Sequence, residues 1–135
     1  MFTDAHQGLA LALVLHLAWA PSGRLAENRR RRLHWSQYAS VMAQERADAC
    51  KAVLEALGRD RPQLPYAYVT LRYHFTDSRR RDVDGLVQRS KVLLDALVST
   101  GILPDDGPEH LRGLYIPAAT TGESDGVVVE LWSES

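Results

Sequence analysis

The chain contains one cysteine, Cys50. A single thiol excludes an internal disulfide and any zinc cluster built on cysteines, and it makes a reducing, cytoplasmic setting the expectation. No apolar run is long enough to span a bilayer, so no membrane partner is expected. The first apolar run ends in Ala18-Trp19-Ala20, which resembles a leader-cleavage site. However, no Lys or Arg precedes the run and Asp4 does, which argues against a secretory leader. Net charge is −1, so the global basic excess of many nucleic-acid binders is missing. Internal repeats, low-complexity tracts and interdomain linkers are missing too. A length of 135 residues, with 45% hydrophobic and 24% charged, suits one core. One domain over residues 1–135 is expected.

The charge that is present is unevenly placed. Arg24, Arg29, Arg30, Arg31 and Arg32 crowd one segment against Glu27 alone, and Arg79, Arg80 and Arg81 form a second run. Glu123, Asp125, Glu130 and Glu134 make the C-terminal segment acidic. A guanidinium pairs bidentately with phosphate, so both arginine runs are candidate DNA contacts.

Hydrophobic periodicity divides the chain into elements. Leu9 to Trp19 alternates bulky and small residues, which predicts a strand with Leu9, Leu11, Leu13, Leu15, Leu17 and Trp19 on one buried face. Trp35 to Leu57 predicts a helix with Trp35, Tyr38, Met42, Val53, Leu54 and Leu57 on its apolar side and Gly58 as its stop; Trp35 is expected to anchor it to the sheet. Tyr66 to Thr76 alternates again, with Ala67, Val69, Leu71, Tyr73 and Phe75 on one face. A second helix runs from Asp84 to Gly101, and its apolar sector includes Leu86, Val87, Ser90, Leu93, Leu94 and Leu97. Leu111 to Ile116 and Val127 to Trp132 read as two strands of a hairpin around a Thr120–Gly126 turn. The order β-α-β-α-β-β predicts a small α/β (α+β) domain, with a mixed sheet of about four strands covered by two helices.

The candidate chemistry lies between Arg79 and Asp106. Asp82 and Asp84 are separated by one residue; at a strand end or turn, where the backbone is not yet helical, their carboxylates can converge, and the resulting repulsion calls for a cation. Hard oxygen ligands suit Mg²⁺ or Mn²⁺. Asp84, Gln88, Lys91 and Asp95 share a polar helix stripe. Gly101 and Pro104 end the helix, and Asp105 and Asp106 are expected to fold back toward the first pair. These residues alone point to metal-dependent chemistry on a phosphate ester. The Asp-x-Asp-Gly motif also begins the signature of haloacid dehalogenase-type phosphatases. That signature follows a buried hydrophobic strand and carries Thr after the Gly; here Arg79-Arg80-Arg81 precedes the motif and Leu86 follows it.

The arginine run, Asp82-Val83-Asp84-Gly85, Lys91, Asp95-Ala96-Leu97 and Gly101 to Asp106 together resemble the RusA-type Holliday junction resolvases. Gly85 stands where that family carries Asn, and the helix is longer by about one turn. The resemblance implies an endodeoxyribonuclease that resolves four-way (Holliday) DNA junctions by paired symmetric nicks. It implies Asp82, Asp84 and Asp106 as catalytic metal ligands, Lys91 as the catalytic lysine, and Asp95 and Asp105 as supporting positions. Paired cuts imply a homodimer. The alternative is a non-catalytic DNA-junction-binding module, which Gly85 favours by loosening the turn that holds Asp84.

Overall fold

Alternation in sequence becomes alternation in burial along Ala67–Phe75. Ala67, Val69, Leu71, Tyr73 and Phe75 are all buried, while Tyr68, Arg72 and His74 are half-exposed. This is the central strand of a computed structural model that describes residues 8–21, 35–77 and 81–134. The elements in order are β1 (Leu9–Leu17), α1 (Trp35–Leu57), β2 (Ala67–Phe75), α2 (Val83–Ser99), β3 (Leu111–Tyr115), β4 (Thr120–Thr121) and β5 (Gly126–Glu134). Among the described residues the domain is small and α+β, with a mixed sheet of five strands and two helices. No helix among the described residues is long and apolar enough to cross a membrane.

The sheet order is β1-β5-β2-β3, with β4 also on β2. β5 runs antiparallel to both neighbours, so β1 and β2 point the same way. β3 and β4 are both parallel to β2: β3 pairs along Ala67–Thr70, and β4 continues the edge at His74 and Phe75. The expected hairpin of the last two strands does not form. β2 separates them, because β5 is apolar on its core face and half-buried on the other, and it takes an interior position. β3, largely exposed, lies at the edge.

Both helices cover one face. Leu15, Leu17, Val69, Leu71, Tyr73, Val127, Val129 and Leu131 form the core together with Val53, Leu57, Leu86, Leu93 and Leu97. Each fully buried side chain of this size contributes about 1.5–3 kcal/mol. α1 buries Val41, Glu45, Ala49, Val53 and Leu57, a ridge of i+4 steps. Trp35 does not anchor it: it is 76% exposed, and Leu54 is exposed as well. α2 buries Leu86, Ser90, Val92, Leu93, Ala96 and Leu97 and leaves Val83 and Val87 exposed. Both stop on left-handed glycines, Gly58 and Gly101. At the end of α2, Ile102 N–H bonds Leu97 O at 3.0 Å and Gly101 N–H bonds Val98 O at 3.0 Å, a full Schellman closure.

β1 departs from the expected single bulky face. Its register against β5 slips between Leu11 and Leu13, so that Leu11 faces Trp132 and Leu13 faces Leu131. One extra residue reverses the side on which all preceding side chains emerge. Leu13, Leu15 and Leu17 therefore face the core, while Leu11 turns to the other side and is 47% exposed.

Candidate functional site

Strand direction decides where the acids lie. Leu17 of β1 and Tyr73 of β2 pair with Val127 from opposite sides, so both strands finish at the same end of the sheet. Their last residues are about two strand spacings apart, roughly 10 Å. The arginine-rich stretch 24–32 follows β1, and the second run follows β2. Arg24, Arg29, Arg30, Arg31, Arg32, Arg79 and Arg80 lie outside the described residues.

α2 starts at this end. Asp82 is its N-cap residue, with φ −73° and ψ 147°; its carboxylate does not cap the helix. Asp84 lies in the first turn, exposed, where the partial positive charge of the helix N-terminus favours an anion. Gly85 is helical, and a Cβ there would meet nothing within 4 Å. Its backbone conformation does not require glycine, and a side chain would fit there. Lys91 is exposed two turns further along the same side as Asp84.

α2 then runs back along β2, and this separates the two acid pairs. Leu64 N–H bonds Ile102 O at 2.8 Å, and Ala67 pairs with Leu111, so the turn after α2 sits at the beginning of β2. Asp105 and Asp106 are there. β2 is nine residues long, which spans roughly 30 Å. The expected return of Asp105 and Asp106 to Asp82 and Asp84 within one chain does not occur, because Gly101 to Leu103 dock against the last turn of α2. Among the described residues no group of three or more His, Cys, Asp or Glu could hold a metal ion. One chain therefore does not assemble the three-carboxylate set, Asp82, Asp84 and Asp106.

The far end has its own cleft, of about 370 Å³, between the helices. Arg46, Cys50, Asp95, Ser99, Asp105 and Asp106 line it. Asp95 pairs with Arg46 of α1 at 3.7 Å. The Asp105 carboxylate accepts the Asp106 N–H at 2.8 Å, holding the turn.

The Asp82 end is closely braced. Arg81 meets Asp77 through two bonds, Nη1 to Oδ1 at 2.9 Å and Nη2 to Oδ2 at 3.2 Å. Its guanidinium lies 3.7 Å over the Phe75 ring, with Arg89 at 5.8 Å from the same ring. Arg89 Nη1 also reaches Pro21 O at 3.5 Å, where the first arginine-rich segment begins. Thr76 N–H donates to Asp125 Oδ1 at 2.8 Å, and His74 Nδ1–H donates to Ser124 O at 2.7 Å. Beneath the helix, Tyr73 and Ser90 share a 2.6 Å hydrogen bond, and Ser90 Oγ donates to Leu86 O at 2.6 Å. Burial pushes the Tyr73 phenol up to about 12, against the opposing pull of the Ser90 bond and the Arg89 charge.

Sequence reasoning missed Asp77, Phe75, Asp125 and Arg46. Asp77, Asp125 and Arg46 meet their partners only through the fold. No protein-family model matches the chain, and no curated protein matches it.

Proposed function

We propose that the protein is a divalent-metal-dependent endodeoxyribonuclease of the RusA type, acting as a homodimer on four-way DNA junctions in the cytoplasm. One observation carries the reading: β1 and β2, the strands that the two arginine runs follow in sequence, finish at the end of the sheet where Asp82 and Asp84 begin α2. Four of the five strands point toward that end, and open α/β sheets bind ligands beyond the carboxyl ends of their strands. Cations there attract phosphates and bring a phosphodiester to the carboxylates.

The separation of the acid pairs shapes the reading. If Asp82, Asp84 and Asp106 serve one ion, Asp106 must come from a second copy. Two α2 helices packed antiparallel about a twofold axis would bring Asp106 of each copy to Asp82 and Asp84 of the other, and would give the two sites that paired nicks require. Val83 and Val87, exposed one turn apart on α2, supply apolar surface for such a contact. An Mg²⁺ or Mn²⁺ ion held there would polarise the phosphate and activate water. Lys91 places a positive charge two turns along from Asp84, on the side that faces the bound phosphate.

A synthetic four-way junction incubated with the protein tests the reading. Paired nicks should appear with Mg²⁺ and vanish with EDTA, and light scattering should give about twice the 15.1 kDa chain mass. The second reading, a junction-binding module without catalysis, rests on the same separation of the acids within one chain. Tight junction binding with no cleavage in Mg²⁺ or Mn²⁺ would establish it.

A further inference from the structure

Arg81 belongs to an arginine run, yet its surroundings differ from those of a phosphate contact. Both arms of its fork are bonded to Asp77, and its flat face lies on Phe75. The side chain is only 13% exposed, although Asp77 is 48% exposed. Phe75 is a core residue, 4% exposed and stacked 6.1 Å from Tyr73. A phosphate could not take the Arg81 fork without breaking the Asp77 pair.

Position explains why the fork is taken. Arg81 immediately precedes the N-cap of α2, where the helix dipole disfavours a cation. Asp77 offsets that charge. The pair also ties the end of β2 to the residue before Asp82, and Asp125 holds the same segment at Thr76. We propose that Asp77 and Phe75 grip Arg81 as a positioning clamp, one that fixes Asp82 and Asp84 at the start of α2 and leaves the phosphate contacts to the other arginines. The clamp rests on the nuclease reading for its purpose, though not for its existence.

The experiment uses the full chain, a synthetic four-way junction and three readouts. These are amide exchange over residues 82–88, the salt dependence of binding in EDTA, and turnover at saturating junction with Mg²⁺. Asp77→Asn and Arg81→Lys should each speed exchange about tenfold, as the local opening cost falls by roughly 1.4 kcal/mol. Turnover should fall by a similar factor. The double variant should be no worse than either single one, because one pair is broken in all three. Arg81→Lys keeps the charge but loses the fork, so rescue by lysine is not expected. Arg81→Ala should leave the log–log salt slope unchanged, while Arg80→Ala should lower it by ~0.9. Lys51→Ala, on the far side of α1, is the control for all three.

A slope lowered equally by Arg81→Ala and Arg80→Ala would make Arg81 a phosphate contact and overturn the clamp. Unchanged exchange in Asp77→Asn would overturn it as well. If the unaltered protein binds the junction without cutting it, the nuclease reading fails, and the exchange readout still decides the clamp.

Discussion

At its N-terminal end α2 begins with Asp82 and Asp84; at its C-terminal end the chain turns through Asp105 and Asp106. The first pair stands where β1 and β2 finish, next to the contacts of Phe75, Asp77 and Arg81. The second pair lines a cleft with Arg46 and Asp95, and the Asp105 carboxylate is engaged in its own turn. Identical side chains therefore sit in different settings: one pair lies at a helix N-terminus, the other in a cleft lined by Asp95 and Arg46. The comparison shows that two acidic motifs close in sequence need not share a site, because a helix between them sets their separation.

The largest effect should come from mixing variants. Asp82→Asn and Asp106→Asn should each lower cleavage by orders of magnitude, since a metal site supplies several kcal/mol to the transition state and each 1.36 kcal/mol is tenfold. Refolding the two variants together should restore single nicks. In a site shared between copies, one mixed dimer has one site with both changes and one with neither. If the ends of α2 act within one chain, the mixture stays inactive, and the proposed antiparallel pairing is wrong.

A second contrast uses salt. Replacing Arg30, Arg31 and Arg32 by Ala should lower the log–log slope of DNA binding by up to ~2.7, at ~0.9 for each phosphate contact. Arg46→Ala, in the acidic cleft, should leave the slope where it was. Equal slopes for the two variants would remove the electrostatic difference between the ends.

Alkaline pH probes the middle of α2, where Tyr73 and Ser90 join sheet and helix. The phenol ionises near its ordinary 10.0 in the unfolded chain and is pushed by burial to about 12 in the fold. A raised pKa means that the unfolded state gives up its proton first. The stability from keeping Tyr73 neutral is therefore complete below pH 10 and lost between pH 10 and 12, up to about 3 kcal/mol. Urea unfolding at stepped pH should show this fall, and Tyr73→Phe should flatten it. A fall of equal size in Tyr73→Phe would assign it to other groups.

The smallest effects concern single substitutions at the two ends. Asp125→Ala removes the acceptor of the Thr76 N–H and should cost about 1 kcal/mol in chemical denaturation. Arg46→Ala breaks an ion pair whose arginine is 55% exposed and should cost less than that. Gly85→Asn meets open space and should be neutral or slightly stabilising. A loss of 1 kcal/mol or more in Gly85→Asn would show that the helix start requires glycine.

Local pattern was legible wherever one face of an element is buried along its whole length. The face of β2 was readable residue by residue, as were the stops at Gly58 and Gly101, where only a left-handed residue closes the turn. α1 was half legible: Val53 and Leu57 stood out, whereas Ala49 is small and Glu45 is polar, so neither announced its burial. Size drew attention to Trp35 instead, which the fold leaves exposed. In the candidate site, the residue types and the helix between them were readable, and the side of α2 shared by Asp84 and Lys91 followed from helix geometry.

By itself the sequence determined the element order, the central strand, the ends of both helices and the clustering of charge, because each depends on neighbours within a few residues. Tertiary structure alone decided that β5 enters between β1 and β2, that the slip after Leu11 turns it away from the core, that Arg46 takes Asp95, and that Asp105 and Asp106 lie a full strand length from Asp82. These outcomes depend on which strand edges pair and on how a helix packs back across the sheet. Both are competitions between segments distant in the chain, settled by the total apolar surface each arrangement buries and by no local preference.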